Sequence, residues 1–236
     1  MPTYRHSSGK RFLHIHIPRT GGRFFEENLK LNGFEAEQSI WKSVDGVEIA
    51  HFDRELYEKH LDVDDIPHIA VVRDPLDRFI SCSIFLKRMY GDIDEQLEDE
   101  VYFYSLIQNY PLSEGRNWFR PQVDFLSDKT HVWNFSDGFG DEFGEWLSDI
   151  LGVEFKIHDV PYGKLTTDET DRVVRTDKII DNVKHFYQDD YSKLATPLQE
   201  GAKTKTQTTG IASSKETSWT VIKVSTKPSQ AEGFLL

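Results

Sequence analysis

The amino-acid sequence predicts a single α/β domain in which a central parallel sheet is flanked by helices. A buried strand followed by a loop and a helix occurs twice, over residues 12–31 and again over residues 68–91. Strands that alternate with helices in this way favour parallel pairing, with helices on the faces of the sheet. The 236 residues, of which 38% are hydrophobic and 13% aromatic, are enough for one well-filled core.

The first strand is predicted over residues 12–17, because an apolar residue follows at every second position from Leu13. We expect the two histidines of this strand, His14 and His16, to be structural residues covered by packing. A helix is predicted from Gly22, where the pattern of apolar residues changes period, and the Asn32-Gly33 pair is a typical stop signal.

The second strand-to-helix unit begins with the almost continuously apolar stretch 68-HIAVV-72, which is typical of a buried parallel strand. Asp74 and Pro75 follow as an N-cap and a first-turn proline, and they predict a helix that runs to about Gly91. Between the two units, residues 47–52 are predicted to form another strand.

The rest of the chain is predicted to add elements and then a polar tail. Residues 199–236 are rich in Lys, Thr, Ser and Gln and are predicted to be flexible, although residues 217–224 have enough apolar character for an edge strand. The domain is therefore assigned to residues 1–198. Its remaining predicted elements are a helix at 95–109, a strand at 130–135, a helix at 141–152 and a last helical region at about 168–194.

Composition and charge exclude several classes of function. A net charge of −12 argues against a broad nucleic-acid surface, and the single cysteine, Cys82, excludes an intramolecular disulfide and a Cys-based zinc site. The acidic run at 92–100 lacks the spacing of a calcium loop, so no metal site is expected. No signal peptide or apolar window of membrane-spanning length is present, and we expect a cytoplasmic protein.

The loop after the first strand has the chemistry of an anion site. Gly21 and Gly22 lie where the first amides of a helix are unsatisfied donors, and glycines allow close approach to them. Arg19 and Arg23 add planar, permanently charged donors, and Thr20 adds a hydroxyl. The simpler alternative is that the glycines only turn the chain and the arginines only solvate the loop.

A second candidate anion site follows the second strand. Arg73 ends that strand, and Asp74, Arg78 and Ser81 share one face of the next helix at positions i, i+4 and i+7. A phosphate near the start of this helix would meet Arg73 and Ser81 together. The alternative is that the Arg-Asp-Pro stretch is only a helix entry and that Ser81 is a small packing residue.

Together, these two stretches resemble the cofactor-binding signatures of the sulfotransferases that use 3′-phosphoadenosine 5′-phosphosulfate (PAPS). The stretch 19-RTGG-22 is similar to the family's 5′-phosphosulfate loop, and 73-RDPLDRFIS-81 is similar to its 3′-phosphate site. The stretches 49-IAHFDREL-56 and 118-WFRPQVDFL-126 resemble the branch that contains the heparan sulfate 2-O- and 6-O-sulfotransferases. The resemblance covers about residues 11–196 and implies the sulfotransferase fold, which is similar to that of P-loop NTPases.

The resemblance implies transfer of a sulfuryl group from PAPS to a hydroxyl, with a carbohydrate as the acceptor and adenosine 3′,5′-bisphosphate (PAP) as the product. It identifies His51 as the general base, whereas the alternative is a histidine that packs at a strand end. Residues of both signatures would bind the donor: Arg19, Thr20, Gly21, Gly22, Arg23, Phe24, Arg73 and Ser81. Three later residues would contact the acceptor: Trp118, Arg120 and Gln122.

The first signature departs from the family pattern at two positions. Arg19 replaces the usual lysine, and Arg23 replaces the Thr or Ser that often follows the glycines. Because an arginine keeps its proton, Arg19 can stabilise developing negative charge but is not a proton donor to the leaving phosphate. Two alternatives therefore stay open: an inactive module that binds PAP or PAPS, and a P-loop kinase or NTPase, which would need the absent Gly-Lys-Ser/Thr ending.

Overall fold

The computed structural model describes residues 2–90, 105–108, 117–160 and 175–200, with side chains described except at 87–90 and 195–200. The described residues form an α/β domain. Five strands make one mixed sheet in the order β3-β1-β2-β6-β7, and two more make a separate hairpin. The strands are β1 (Thr3–His6), β2 (Arg11–Ile15), β3 (Phe34–Ala36), β4 (Ser43–Val44), β5 (Val47–Glu48), β6 (His68–Val72) and β7 (Thr130–Asn134).

Six helices accompany these strands in the described part of the chain, and a four-residue helical stretch spans 105–108. Three short 3-10 turns, at Ile49–His51, Gln122–Phe125 and Phe135–Asp137, connect the elements. The helices are α1 (Gly22–Leu31), α2 (Arg54–His60), α3 (Pro75–Tyr90), α4 (Asp141–Leu151), α5 (Asp177–Phe186) and α6 (Gln188–Glu200).

The predicted parallel sheet is confirmed only for its centre. β2 pairs with β6, and β6 with β7, in parallel register, whereas β1 runs antiparallel to both β2 and β3. β1 folds back onto β2 through a tight turn in which Gly9 has a φ of 87° and donates its amide to His6 O at 2.8 Å. The centre of the sheet is therefore parallel as predicted, and this hairpin adds an antiparallel edge that the sequence analysis did not predict.

Helices cover both faces of the sheet, as predicted. Phe25 of α1 and Phe143 of α4 are fully buried in the core on one face, together with Ile69 of β6. Tyr57 of α2 and the segment after residue 121 close the core on the other face, against Ile15 of β2. A third cluster packs α3 against α5, and Leu106 and Ile107 of the 105–108 stretch contact it. Both central strands are therefore held from two sides.

Several helix ends were predicted correctly because their signals are local. α1 begins at Gly22, and α3 begins at Pro75 with the Asp77 amide donating to Asp74 Oδ1 at 2.9 Å. α4 ends one residue before Gly152, which has the left-handed φ of 63° that a helix-terminating glycine adopts.

The predicted strand over residues 47–52 was mostly wrong. Only β5 is extended, and the next three residues form a 3-10 turn that ends at His51. β5 pairs instead with β4 through a two-residue turn, in which Asp45 and Gly46 have φ values of 51° and 79°. The Asp-Gly pair was the sequence signal for this hairpin.

The last helical region is two helices, since α5 ends at Phe186 and α6 begins after Tyr187. The parts of that prediction at 168–174, of the helix at 95–104 and 109, and of the tail from residue 201, including 217–224, lie outside the described residues. The domain boundary at residue 198 stays a prediction. Among the described helices, none combines the length and apolarity needed to cross a membrane.

Candidate functional site

The two predicted anion-binding stretches leave the same edge of the sheet. β2 and β6 are parallel neighbours, with Leu13 opposite His68 and Ile15 opposite Ala70. Their carboxyl ends therefore lie side by side, and the loops that follow them open at one edge. In open α/β sheets, this edge is where ligands bind.

The loop between β2 and α1 has an unusual backbone. Arg19 has a φ of 66°, which is rare for a residue with a side chain, and Gly21 has a φ of 90°. The Thr20 hydroxyl donates to Ile17 O at 2.8 Å, so it stabilises the loop itself. Gly21 is the N-cap of α1, and among the described residues no side chain caps this helix. The first amides of α1 are therefore not blocked by a side-chain cap.

Position 22 requires a glycine because the His16 ring approaches it closely. A Cβ atom added to Gly22 would lie 2.0 Å from Nε2 of His16, far inside van der Waals contact. A Cβ atom on Gly21 would lie 2.8 Å from Cζ of Phe139, in addition to the strain of its positive φ. The two glycines thus allow His16 and Phe139 to pack directly against the loop backbone, in addition to allowing the chain to turn.

At the second junction, Gln122 holds the backbone of Arg73. The Arg73 amide donates to Gln122 Oε1 at 2.9 Å, and Gln122 Nε2 donates to Arg73 O at 2.8 Å. The Asp190 carboxylate accepts from the amides of Gln122 and Val123 at 2.9 and 3.0 Å. Gln122 is fully buried, and these contacts position the backbone of Arg73; an acceptor contact of Gln122 stays a prediction.

The side chains of the two stretches meet directly. Arg19 Nε donates to Ser81 Oγ at 3.0 Å, and Arg73 Nη1 donates to Arg19 O at 3.4 Å. The Arg19 guanidinium lies 4.7 Å from the ring centre of Phe85, and that of Arg73 lies 4.6 Å from the ring centre of Phe135. These contacts hold both cations at the edge of the sheet.

The electrostatics of this edge favour an anion. Burial lowers the pKa of Arg73, so a bound anion would relieve the cost of its desolvated charge. Burial, with the charges of Arg23 and Arg19 added, lowers the pKa of His16 to about 3. His16 is therefore neutral at physiological pH, and positive charge is concentrated here in a protein whose net charge is −12.

His51 lies at the same edge, at the end of the 3-10 turn. Its ring centre is 5.3 Å from that of His16 and 5.7 Å from that of Trp118. Asn117 Nδ2 donates to His51 O at 2.9 Å, which ties the turn to the segment before Trp118. His51 Nδ1 lies 3.6 Å from a carboxylate oxygen of Glu48. The histidine that the sequence singled out thus lies beside the glycine loop.

Phe85 and Trp118 form an aromatic pair that lies between His51 and Arg19. Phe85 and Trp118 stack with ring centres 4.8 Å apart and planes at 19°. Arg19 lies over the Phe85 ring, and His51 meets Trp118 edge to face. These residues and His16 form a continuous row of planar groups, which we call the aromatic row (Arg19, Phe85, Trp118, His51 and His16).

Arg78 holds the Trp118 segment in place. The sequence placed Arg78 on the helix face shared with Asp74 and Ser81, but its side chain is fully buried. Its Nη1 and Nη2 atoms donate to Trp118 O at 3.1 Å and Arg120 O at 2.6 Å. Arg78 is therefore a structural cation that positions the aromatic row from beneath.

The remaining predicted residues lie around this centre. Arg120 forms an ion pair with Asp53 at 3.1 Å and donates to Asn117 Oδ1 at 3.0 Å. Arg23 is exposed on the first turn of α1, and the Phe24 ring packs 5.1 Å from that of Phe139. Sequence reasoning missed the positioning residues Arg78 and Asp190 and the ring of Phe85, because each acts on a segment distant in the sequence.

Within the described residues, no group of three or more His, Cys, Asp or Glu side chains is arranged to hold a metal ion. Comparison of the chain with protein-family models, with curated proteins and with solved structures finds no match.

Proposed function

We propose that the protein is a PAPS-dependent sulfotransferase with the sulfotransferase variant of the P-loop-like fold, and that its acceptor is a carbohydrate hydroxyl. The observation that carries the proposal is the 3.0 Å contact between Arg19 and Ser81, which are 62 positions apart in the sequence. It joins the two stretches that resemble the ends of one nucleotide-binding site. A single donor nucleotide can reach both.

The residues at this edge fit a donor with an anionic group at each end. The uncapped amides of the first turn of α1, together with Arg23, would hold the 5′-phosphate. Arg73 and Ser81 would hold the 3′-phosphate through their side chains. Arg19 contacts both Ser81 and Arg73, and it would hold the sulfonate and the bridging oxygen of the donor.

His51 would accept the proton of the acceptor hydroxyl. The acceptor oxygen then forms a bond to sulfur, the bond from sulfur to the bridging oxygen breaks, and that electron pair stays on the 5′-phosphate of PAP. Such in-line transfer depends mainly on positioning and on charge stabilisation. Arg19 contributes the second of these, since its guanidinium keeps its proton throughout.

The aromatic row supports a carbohydrate acceptor. Phe85 and Trp118 present stacked rings next to His51, and aromatic side chains suit the apolar faces of sugar rings. Within the described residues, the buried Nε1 atom of Trp118 has no hydrogen-bond partner, so it would donate to an acceptor oxygen. Arg120 would approach an anionic substituent only in competition with Asp53.

Ligand binding and group transfer test the two halves of the proposal. PAP without magnesium should raise the melting temperature of the protein, whereas a response only to ATP with magnesium would favour a kinase or NTPase. Incubation with ³⁵S-labelled PAPS and a panel of glycans should then label at least one of them. Binding of PAP without labelling of any acceptor would favour the inactive module.

Replacement of the proposed base separates chemistry from binding. His51→Ala should abolish transfer and leave PAP affinity unchanged, because His51 is placed on the acceptor side. His185→Ala, which removes an exposed histidine on α5, is the matched control and should keep full activity. Turnover retained by His51→Ala would refute the assigned base.

A further inference from the structure

The surroundings of His51 oppose the charge that a general base must acquire. Arg19 and Arg23 lie in the neighbouring loop, and both act on His16, whose ring is 5.3 Å from that of His51. His16 itself is neutral at physiological pH. An imidazole that takes a proton at this edge of the sheet adds a positive charge to a region that already contains Arg19 and Arg23, so a nearby carboxylate would favour it.

Glu48 is placed to offset that added charge. Glu48 is the N-cap of the 3-10 turn that ends at His51, and its carboxylate oxygen lies 3.6 Å from His51 Nδ1. The exposed fractions of the two side chains are 18% and 11%, so solvent screens their attraction only weakly. The distance is longer than a normal hydrogen bond, but catalytic contacts are often long before substrate binds.

The other described groups whose contacts lie near His51 are either uncharged or already paired. On the far side of the ring, the segment that carries Trp118 contributes an indole and the polar Asn117. The nearby acid Asp53 is bound to Arg120 and also accepts the Leu56 amide as the cap of α2. Among these groups, the carboxylate that faces the imidazole is that of Glu48.

We infer that Glu48 is a positioning residue for the general base: its carboxylate orients Nδ1 of His51, leaves Nε2 for the acceptor hydroxyl, and stabilises the imidazolium formed when that hydroxyl loses its proton. The inference rests on the proposed function for its catalytic meaning. The ion pair itself is a property of the protein without substrate, and it can be measured separately.

Titration of His51 by NMR tests the pairing without any activity assay. In protein labelled with ¹³C-histidine, the His51 resonance is assigned by its loss in His51→Gln, and its pKa is compared between wild type and Glu48→Gln. We expect the His51 resonance to titrate at lower pH in Glu48→Gln, because the opposite charge that stabilises the imidazolium is removed. Glu55→Gln removes an exposed carboxylate from α2 and should leave this pKa unchanged. An unchanged pKa in Glu48→Gln, with the fold intact by circular dichroism, overturns the inference.

Kinetics then test the catalytic meaning. In Glu48→Gln, kcat at neutral pH should fall by a factor of about 10 to 100, with the KM for the donor unchanged and the pH profile altered in its acidic limb. Glu48→Asp should recover part of the activity. A wild-type protein that shows the pKa coupling but transfers no sulfuryl group would refute the proposed function and leave the ion pair established. Transfer that is insensitive to Glu48→Gln would refute the role of Glu48 alone.

Discussion

The two strand-to-helix junctions at the site start their helices in opposite ways. α1 begins after Gly21, which has a φ of 90° and offers no side chain to the first amides. α3 begins at Pro75, which has no amide hydrogen, and the Asp74 carboxylate accepts the Asp77 amide at 2.9 Å. One helix start is open to an anion, and the other already carries a carboxylate of its own.

Under the proposed function, the two junctions would therefore hold anions by different means. The first can use backbone amides, so it depends on glycines and on the packing beneath them. The second must use side chains, so it depends on Arg73 and Ser81 and on the clamp by which Gln122 fixes the Arg73 backbone. Substitutions at the two junctions should therefore have different effects on stability and on binding.

The largest expected effect is on binding at the second junction. Arg73→Ala should weaken PAP binding by roughly 2 to 4 kcal/mol, because a charge-assisted contact from a largely buried guanidinium is lost. Isothermal titration calorimetry measures this change. Arg54→Ala, which breaks an ion pair with Glu58 on α2, is the control and should bind PAP normally. Equal affinity in Arg73→Ala and wild type would remove the 3′-phosphate assignment.

At the first junction, Gly22→Ala should lower both stability and PAP affinity. The added methyl group would overlap the His16 ring, and the free energy of unfolding should fall by about 2 to 3 kcal/mol. Urea denaturation measures this loss. Gly140→Ala, at a position with no atom within 4 Å of the added Cβ, should cost less than about 1 kcal/mol.

The steric origin of that effect can be isolated with a double variant. His16→Ala should recover stability when it is combined with Gly22→Ala, since the ring that the methyl group meets is then absent. Purely additive losses would show that the backbone of the loop, and not His16, excludes a side chain at position 22.

Acid should destabilise the first junction. Burial keeps His14 and His16 neutral in the folded state, with the pKa of His14 well below its usual value and that of His16 at about 3. The unfolded chain binds these protons near pH 6.5, so this stability is complete above that pH and is lost as the pH falls towards 3. The slope should reach about 1.4 kcal/mol per pH unit for each histidine.

Denaturation at several pH values between 7 and 4 measures this slope in wild type and in His16→Gln. The variant should have the shallower dependence, since it has one buried imidazole fewer. His185→Gln, which removes an exposed histidine, is the control and should follow wild type. Parallel curves for wild type and His16→Gln would contradict the low pKa of His16.

The smallest expected effect is at the cap of α3. Asp74→Ala should lower the free energy of unfolding by about 1 kcal/mol through loss of the contact to the Asp77 amide. It should not weaken PAP binding, because in our proposal the anion at this junction is held by side chains. Asp74→Asn keeps the cap and should restore stability. A marked loss of PAP affinity in Asp74→Ala would show that the two junctions are more alike than their helix starts indicate.

The parts of this site that the sequence predicts are those with short-range signals. The glycine pair after β2, the Asp-Pro entry of α3 and the continuous apolar run of β6 each lie within a few residues, and all are where they were predicted. The contact between Arg19 and Ser81 was not predicted, although parallel neighbouring strands bring the loops that follow them to one edge of the sheet.

The parts that were missed depend on partners distant in the chain. Gln122 meets Asp190 across 68 positions, and nothing near either residue shows that the carboxylate will be buried against backbone amides. β1 is a strand because it pairs with β2 and β3, although its own four residues carry little pattern. The predicted strand over residues 47–52 is shorter because Val47 and Glu48 pair with β4 in a hairpin, and the chain then turns towards His51.

Arg78 has a practical consequence for redesign of the loop that carries Trp118 and Arg120. Its two terminal nitrogens donate to the backbone carbonyls of Trp118 and Arg120. These two contacts hold the backbone of the loop, and they add to the side-chain contacts of Arg120 with Asp53 and of Trp118 with Phe85. Variants at positions 118 and 120 that keep Arg78 would retain both carbonyl contacts, so under the proposed function they would test acceptor preference on a loop whose backbone is still held. Arg78→Lys would weaken this hold, since one ammonium group does not reproduce the paired donors of a guanidinium.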